Sequence, residues 1–594
     1  MPTKTYSVKL NGWNENYKLD PHQWQTIHHL FRNGKGISAL GVGFGKTSSA
    51  IGLMLLGRQE GKFSKPIVQV PNNKVGDWID EIKMFAPDLK VGAVNPKDKE
   101  YNDQDKRFQM YQDLANGSYD VIILPETAAT EIGLSTENDK KITDAEITSQ
   151  MLGENKTAKE AVNAEDSQEK KLRTKKKNPT ITFEDFGGDA FFVDEAHRGK
   201  NLFTSSLAKE LGMNDKSEAA QRALEMFKKS AYIRSQNGGK NVFLLTATPL
   251  TNSPLEYYNM LAHVGLEDLR RIGINNLDDF IGTFANVEDR QVQTMDGSGL
   301  GKTKKVLVGF KNLDKLRGVF FKHTDLQNDP EKVGLDKPEV VKIPIVLDSD
   351  TTQKNLVKGL FEGMVAAFNN RNTGEGIKKY GQIRAASLDP RLIEPNGHEN
   401  WKNPKIESMI NNIKDASKDN TGGHVVFCDH FRSIKEAKGS FNLHHEIKQQ
   451  FIANGYKPEE IGIISGESNQ KKNSQAITDY NAGKIKILIG TTQTMGEGVN
   501  LQANSTSLHH FDFPYRPSDI IQRNGRIDRQ GNAQKLVKIY NYMASGTADA
   551  YNMDLIQKKA NWIADLLNSK SDVFTNPDEE STANTEEMIL ALTN

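Results

Sequence analysis

Four short segments carry the residue types that phosphoryl chemistry requires: GVGFGKT at 41–47, VDEAH at 193–197, TATP at 246–249 and QRNGRIDRQGN at 522–532. In the first, Gly43 and Gly45 let the backbone turn tightly and aim its N–H groups at phosphate oxygens. Lys46 would reach the β- and γ-phosphates of ATP, Thr47 would offer its hydroxyl to Mg2+, and Ser48 joins them as a nucleotide-binding position. In the second segment two acids end an apolar run. Asp194 would hold the metal, directly or through water, and Glu195 would orient and deprotonate the attacking water. His197 is placed to sense the γ-phosphate or to contact the third segment, whose Thr246 and Thr248 would transmit the change. In the fourth, Arg523, Arg526 and Arg529 recur every third residue, and the spacing predicts one helix presenting all three on a face. Arg526 and Arg529 are the catalytic candidates for neutralising the transferred phosphoryl group across a cleft. Arg523 ranks behind them, and Gln522 belongs with the nucleotide-binding set. An arginine in that role contributes about 10³-fold in turnover, or about 4 kcal/mol of barrier.

Such groups work only if strands and loops hold them together. Short runs rich in Val and Ile predict buried parallel strands at 67–70, 120–124, 190–194, 241–247, 424–428, 461–465, 486–491 and 536–542, with a first strand near 36–40 leading into the phosphate loop. Polar-apolar stretches of helical spacing separate them, which is the doubly wound α/β pattern. The strands fall into two groups, so two such domains are expected. Between them, at about 251–400, the pattern turns helical, interrupted by a strand-like element at 339–347. A second GKT, in the loop 295–303, has no preceding strand and reads as a surface turn. The insertion at about 136–180 is dense in Lys, Glu, Asn and Ala and is too poor in apolar residues to bury much surface. It reads as a helical excursion or, through the basic stretch 170–177, as a DNA-touching element.

Composition narrows the class. Lys+Arg and Asp+Glu both number 77 in 594 residues, so a nucleic-acid partner must meet locally gathered cations, not a global charge. The single cysteine, Cys428, excludes an internal disulfide framework and reads as a small core residue. Paired histidines such as His509 and His510 point apart on a strand or helix and do not suggest a metal site. No apolar run reaches membrane-spanning length, and the first residues lack a signal-peptide core, so a cytoplasmic protein without a membrane partner is expected.

Together these segments resemble superfamily 2 helicases, and within them the Swi/Snf-type double-stranded DNA translocases, over most of the chain. PHQWQ at 21–25 is similar to the upstream segment whose glutamine, here Gln23, reads adenine. VPNNKVGDWIDEIKMFAP at 70–87 resembles the Swi/Snf-type segment that carries a tryptophan and a glutamate, here Trp78 and Glu81. IRAASLDPRLI at 383–393 looks like the element before the second lobe, TMGEGVNLQ at 494–502 like the glycine-rich nucleic-acid-contacting motif, and 546–567 like the closing helix. Leu40 stands where the standard phosphate loop has its first glycine, as helicase-like families commonly allow. The wording of RIDRQGN is similar to phage and plasmid helicase-like proteins, including antirestriction-type ones.

The resemblance implies two RecA-like doubly wound parallel-sheet lobes with helical insertions. The lobes are expected at 1–251 and 396–594, with protrusions at 252–330 and 350–395 and a linker strand at 331–349. It further implies a nucleic-acid-dependent ATPase using ATP and Mg2+, a DNA translocase or helicase acting on duplex DNA through sequence-independent phosphate contacts. Asn72, Lys74, Thr127, Thr491, Thr492, Gly498 and Asn500 are the positions implied to meet the nucleic acid. Three other readings stay open: a protein-remodelling motor of the RNA-polymerase-recycling type, an RNA helicase, and a non-hydrolysing scaffold.

Overall fold

The computed structural model describes residues 7–147, 181–203, 205, 207–208, 211, 221–250, 254–292, 302–370, 372–419, 422–434, 440–466, 470–495, 499–514, 516–568 and 574–575. Gly498, the stretch 148–180 with its basic run, the first part of the 295–303 loop and the acidic tail lie outside the described residues. The chain divides into two compact units, one of Met1–Glu288, Leu307–Val333 and Leu566–Thr575, the other of Asp289–Val306, Gly334–Asp565 and Asn576–Asn594.

The first unit is built on β1 (Gly36–Leu40), β2 (Pro66–Val70), β3 (Val91–Ala93), β4 (Val121–Pro125), β5 (Ala190–Val193) and β6 (Val242–Leu245). After two further strands, β7 (Ala285–Val292) and β8 (Lys302–Phe310), β9 (Thr324–Gln327) returns to the sheet. Its order is β3-β4-β2-β5-β6-β1-β9, and every pairing is parallel. Successive strand residues serve opposite faces. Val68, Val70, Ile123, Phe192 and Leu245 join one core with Ile27, Ile51, Met54, Trp78 and Ile82 from α1 (Pro21–Asn33), α2 (Lys46–Gln59) and α3 (Val75–Phe85). The alternate set, including Ile122, Leu124, Phe191 and Leu244, is equally buried on the other face. Burial on both faces explains why these strands read as unbroken apolar runs.

β9 has the sequence TDLQ, which carries little apolar signal. It is held at the edge by register (Ile37 opposite Thr324) and by Asp325, which accepts from Thr26 Oγ1 at 2.5 Å and from Gln25 Nε2 at 3.3 Å.

The second unit carries β10 (Glu339–Leu347), β11 (Gly423–Phe427), β12 (Ile461–Ile464), β13 (Ile487–Gly490), β14 (Ser505–His510) and β15 (Leu536–Ala544). They form a second parallel sheet in the order β10-β15-β14-β11-β13-β12. β16 (Phe574–Thr575) belongs to the first unit, where it pairs antiparallel with Phe310 and Gly309 of β8. The strand-like element at 339–347 is therefore the edge strand of the second sheet, in register with β15 from Glu339 opposite Leu536 to Leu347 opposite Ala544. Cys428 is buried at the end of β11.

β14, STSLHH, is buried along its whole length although four of its residues other than threonine are Ser or His. Its polar groups are satisfied by one another in a directed chain. Asn412 Nδ2 donates to Tyr542 Oη at 3.1 Å, and Tyr542 to His509 Nδ1 at 2.9 Å. His509 Nε2 donates to Ser507 Oγ at 2.7 Å, and Ser507 to His424 Nδ1 at 2.8 Å. His424 Nε2 donates to Ser417 Oγ at 2.9 Å, which gives its own hydrogen to the Ile413 carbonyl at 2.7 Å. The last step fixes the direction of the rest, because Ser417 has one hydrogen to give. Burial holds His424 neutral, down to about 4, and pushes His509 well below the ordinary imidazole value. Each ring therefore has one donor and one acceptor.

Candidate active site

Sheet order assembles the first site. β5, β6 and β1 are consecutive neighbours, with Val193 opposite Leu244 and Ser38 opposite Leu245. The loops leaving their C-terminal ends are the VDEAH, TATP and GVGFGKT segments, so three stretches remote in sequence come out side by side, where open parallel sheets bind ligands.

The phosphate loop bridges β1 and α2 as expected. Gly43 and Gly45 take positive φ values of 82° and 77°, a region that costs other residues about 1–2 kcal/mol. Gly45 is the N-cap of α2, and no side chain caps that end, so the first-turn N–H groups and the helix dipole face outward as an anion cradle. Lys46 Nζ lies 3.3 Å from the Leu40 carbonyl. Gln23 leans over the loop from α1: its amide nitrogen lies 3.1 Å from Ser48 Oγ and 3.4 Å from the Phe44 carbonyl, while its oxygen accepts from the Asp20 N–H at 2.8 Å. His22 Nε2 donates to the same Phe44 carbonyl at 2.9 Å. A Cβ on Gly45 would sit 1.9 Å from Gln23 Nε2.

The acid pair follows β5. Asp194 Oδ1 accepts the Glu195 N–H at 2.9 Å, and Oδ2 accepts the Trp78 indole N–H at 2.9 Å. Glu195 itself has φ of 48°, one of three described non-glycine residues in the left-handed region. Burial first, and then the charge of Glu195, push the Asp194 carboxyl up against the opposing pull of Trp78, Lys46 and Lys74. Glu81, one helical turn beyond Trp78 on α3, lies close enough to the Thr47 side chain to be influenced by it. Burial raises its carboxyl, with Lys74 and Thr47 opposing and Asp194 adding to the rise. His197 Nδ1 lies 3.2 Å from Thr246 Oγ1 and 3.3 Å from Glu195 Oε2. Burial, aided by Lys200 and Arg198, lowers this imidazole to about 3, so the contact with Glu195 is a hydrogen bond to a neutral ring. Thr246 Oγ1 also accepts the Thr248 N–H at 3.1 Å.

Asn72 follows β2 and Thr127 follows β4, adjacent strands of the sheet. The Thr127 N–H and Oγ1 both lie 3.2 Å from Asn72 Oδ1, so these two positions sit together. Tyr101 Oη closes on Thr127 Oγ1 at 2.5 Å. Lys74 pairs with Asp77 at 2.9 Å, and its charge reaches Glu81 and Asp194.

In the second unit the arginine segment departs from the single helix its spacing predicts. The helix Pro517–Asn524 stops at its C-cap Gly525, leaving Arg526 and Arg529 in the turns that follow. A period of three fits successive turns as well as a helix, and Asn524–Gly525 is a turn pair. Arg523 is fully buried, ion-paired with Asp429 at 2.9 Å and Asp512 at 3.0 Å, and its Nε donates to Thr492 Oγ1 at 2.8 Å. Arg523 holds the Asp512 carboxyl far below the usual carboxylate range against the cost of its burial. Thr492 gives its N–H and hydroxyl to the two oxygens of Asp429 at 2.6 and 2.8 Å. Thr491 and Thr494 share a hydroxyl contact at 3.0 Å. Arg526 is buried, with Nη1 2.6 Å from the Val499 carbonyl and Nε 3.2 Å from that of Gln522. Arg529 Nη1 reaches Asn500 Oδ1 at 2.9 Å. The arginine turns thus grip the loop that carries the implied nucleic-acid contact Asn500.

Two family models match this chain: a probable helicase domain over residues 28–325, half of the sequence, and a helicase conserved C-terminal domain over 404–531. The chain belongs to this helicase family. Helicase membership makes it a nucleic-acid-dependent ATP hydrolase by class. The defense against restriction protein B of Escherichia phage P1 is 23% identical to this helicase across 94% of the chain and 33% of its own length. An uncharacterized ATP-dependent helicase, YqhH of Bacillus subtilis, is 33% identical over 16% of this chain and 17% of its own. The chain thus spans about a third or less of the length of these two curated relatives. A Sulfolobus solfataricus SWI2/SNF2 ATPase core solved with dsDNA aligns over 98% of both chains at 14% identity with a TM-score of 0.33. Among the described residues, no helix is long and apolar enough to cross a membrane.

Two contacts around the candidate site are not readable from the sequence. His22 lies in the PHQWQ segment beside Gln23 but has no role assigned there, and its ring holds the Phe44 carbonyl of the phosphate loop. Trp78 has the apolar spacing of a core residue and makes its key contact 116 positions away, with Asp194.

Proposed function

We propose that this helicase-family chain is an ATP-driven motor that moves along double-stranded DNA in the cytoplasm, coupling hydrolysis to changes at a nucleic-acid edge. The observation that carries the reading is the adjacency of the uncapped α2 N-terminus, the Asp194–Glu195 pair and the His197–Thr246 contact on neighbouring strands. Glu195 is the proposed base for water, Lys46 and Gly45 grip the triphosphate, Gln23 and Gln522 belong to the nucleotide set, and Arg526 and Arg529 neutralise charge on the transferred group.

The donor set fits a magnesium ion. Thr47 and Asp194 offer hard oxygen ligands, and Asp194 is a buried acid pushed up by burial and by its neighbour, a strain that a divalent cation relieves. When bound, the ion would offset the negative charge that develops on the phosphate oxygens.

The Asn72–Thr127 cluster at the ends of two adjacent strands supports sequence-independent contact with phosphates. The Swi/Snf-like segment holding Trp78 and Glu81 supports a duplex over RNA. The phage P1 relative's name supports defence against restriction as the biological task.

ATP turnover measured with duplex DNA, single-stranded DNA and RNA in turn, with Glu195→Gln as control, tests this reading. Stimulation by RNA alone would refute it, and triplex displacement separates sliding from strand separation.

A further inference from the structure

α3 packs two polar side chains of one face against the two oxygen ligands assigned to magnesium. Trp78 and Glu81 are three residues apart, so they share that face. The Trp78 ring is buried, with its indole N–H on Asp194 Oδ2 at 2.9 Å. The Glu81 carboxyl, on the same face, lies close enough to the Thr47 side chain and to Asp194 to interact with both. A threonine hydroxyl that gives a lone pair to a cation still has a hydrogen to place, and a carboxylate acceptor beside it fixes which lone pair faces the metal. An indole donor on one carboxylate oxygen likewise fixes the rotation of Asp194. Groups that orient metal ligands in this way commonly contribute 10- to 100-fold in affinity.

We propose that Trp78 and Glu81 are positioning residues for the metal that accompanies the nucleotide: Trp78 sets the Asp194 carboxylate and Glu81 sets the Thr47 hydroxyl. The proposal rests on the nucleotide-site reading above. It makes α3, which begins directly after Asn72–Lys74, a structural part of the metal site and not only a wall of the core.

The test is direct metal binding to the full chain with ADP, with Mn2+ as the probe read by the loss of its free electron paramagnetic resonance signal. Affinity for a fluorescent ADP analogue in EDTA and the melting temperature are measured in parallel. Glu81→Ala and Trp78→Phe are each expected to raise the Mn2+ concentration at half-saturation by about 10-fold. Metal-free ADP affinity should stay near wild type in both, and melting temperature should do so in Glu81→Ala, whereas Trp78→Phe should melt lower because it trims a buried ring. Glu81→Gln should restore much of the loss, because its carbonyl oxygen can accept from Thr47. Half-saturation within about two-fold of wild type in Glu81→Ala and Trp78→Phe would overturn the proposal and leave the nucleotide site standing. So would an equal loss in EDTA, which would mark a merely structural role. If wild type binds ADP with no metal dependence, the nucleotide-site reading falls and this proposal with it.

Discussion

His197 and Thr246 meet through Nδ1 and Oγ1 at 3.2 Å, joining the acid segment to the strand that follows it in the sheet. The same Nδ1 faces a Glu195 carboxylate oxygen at 3.3 Å, so it carries the ring's proton and has a single hydrogen for two acceptors. On the proposed function, a shift of that hydrogen between Glu195 and Thr246 would couple the acid segment to the TATP segment. Thr246→Val should leave ATP turnover measurable while abolishing triplex displacement. It should also cost about 1–3 kcal/mol in urea unfolding, because the buried Thr248 N–H loses its acceptor. Full displacement activity in the variant would contradict the assignment.

Glu195→Gln keeps the shape of the side chain and removes the base. Turnover is expected to fall by about 10²–10⁴-fold, with nucleotide affinity and DNA binding retained in fluorescence titrations.

The arginines should separate cleanly. Arg523→Ala leaves Asp512 and Asp429 without their cation, and breaking such a buried pair costs about 3–5 kcal/mol, visible as a large drop in melting temperature. Arg529→Ala should melt like wild type and lose about 10³-fold in turnover. The opposite pattern would exchange their roles.

Acid should unfold the protein early. His197 and His510 are lowered to about 3 and His263, His424 and His444 to about 4, in each case chiefly by burial. Each binds a proton in the unfolded chain near the ordinary imidazole value and stays neutral when folded. Stability is thus fully present above about pH 6.5 and is lost as pH falls from there toward about 4. Melting temperature measured across that window should drop steeply, and His424→Gln should flatten the slope.

Gly45 meets two separate demands, a positive φ and the closeness of Gln23. Gly45→Ala should weaken nucleotide binding and lower stability. Adding Gln23→Ala should recover the steric part and leave about 1–2 kcal/mol from the backbone. Complete recovery in the double variant would show that φ is unimportant there.

Where the first unit's motifs sit in the fold was readable because each motif is contiguous and follows an unmistakable strand. The phosphate loop begins after Leu40 and α2 starts at Lys46, as the glycines require. What escaped was held by long-range contacts. β14 is not among the strands expected from the sequence, and its burial is explained only when Ser507 and His509 are seen to satisfy His424 and Tyr542. β9 owes its place to Asp325 and the hydroxyl of Thr26. Arg523 ranks behind Arg526 and Arg529 in the sequence, and only the two carboxylates around it reveal a buried strut. The spacing of the three arginines also promised more helix than Asn524–Gly525 allows.

The hydrogens in the second unit's buried chain all run one way, from Asn412 to the Ile413 carbonyl. No imidazole along it can turn over by itself without setting two donors or two acceptors face to face. Ring rotation at His424 and His509 is therefore a concerted event, and the two side chains should give a single slow set of imidazole resonances, frozen in one tautomer each, for as long as that sheet stays intact.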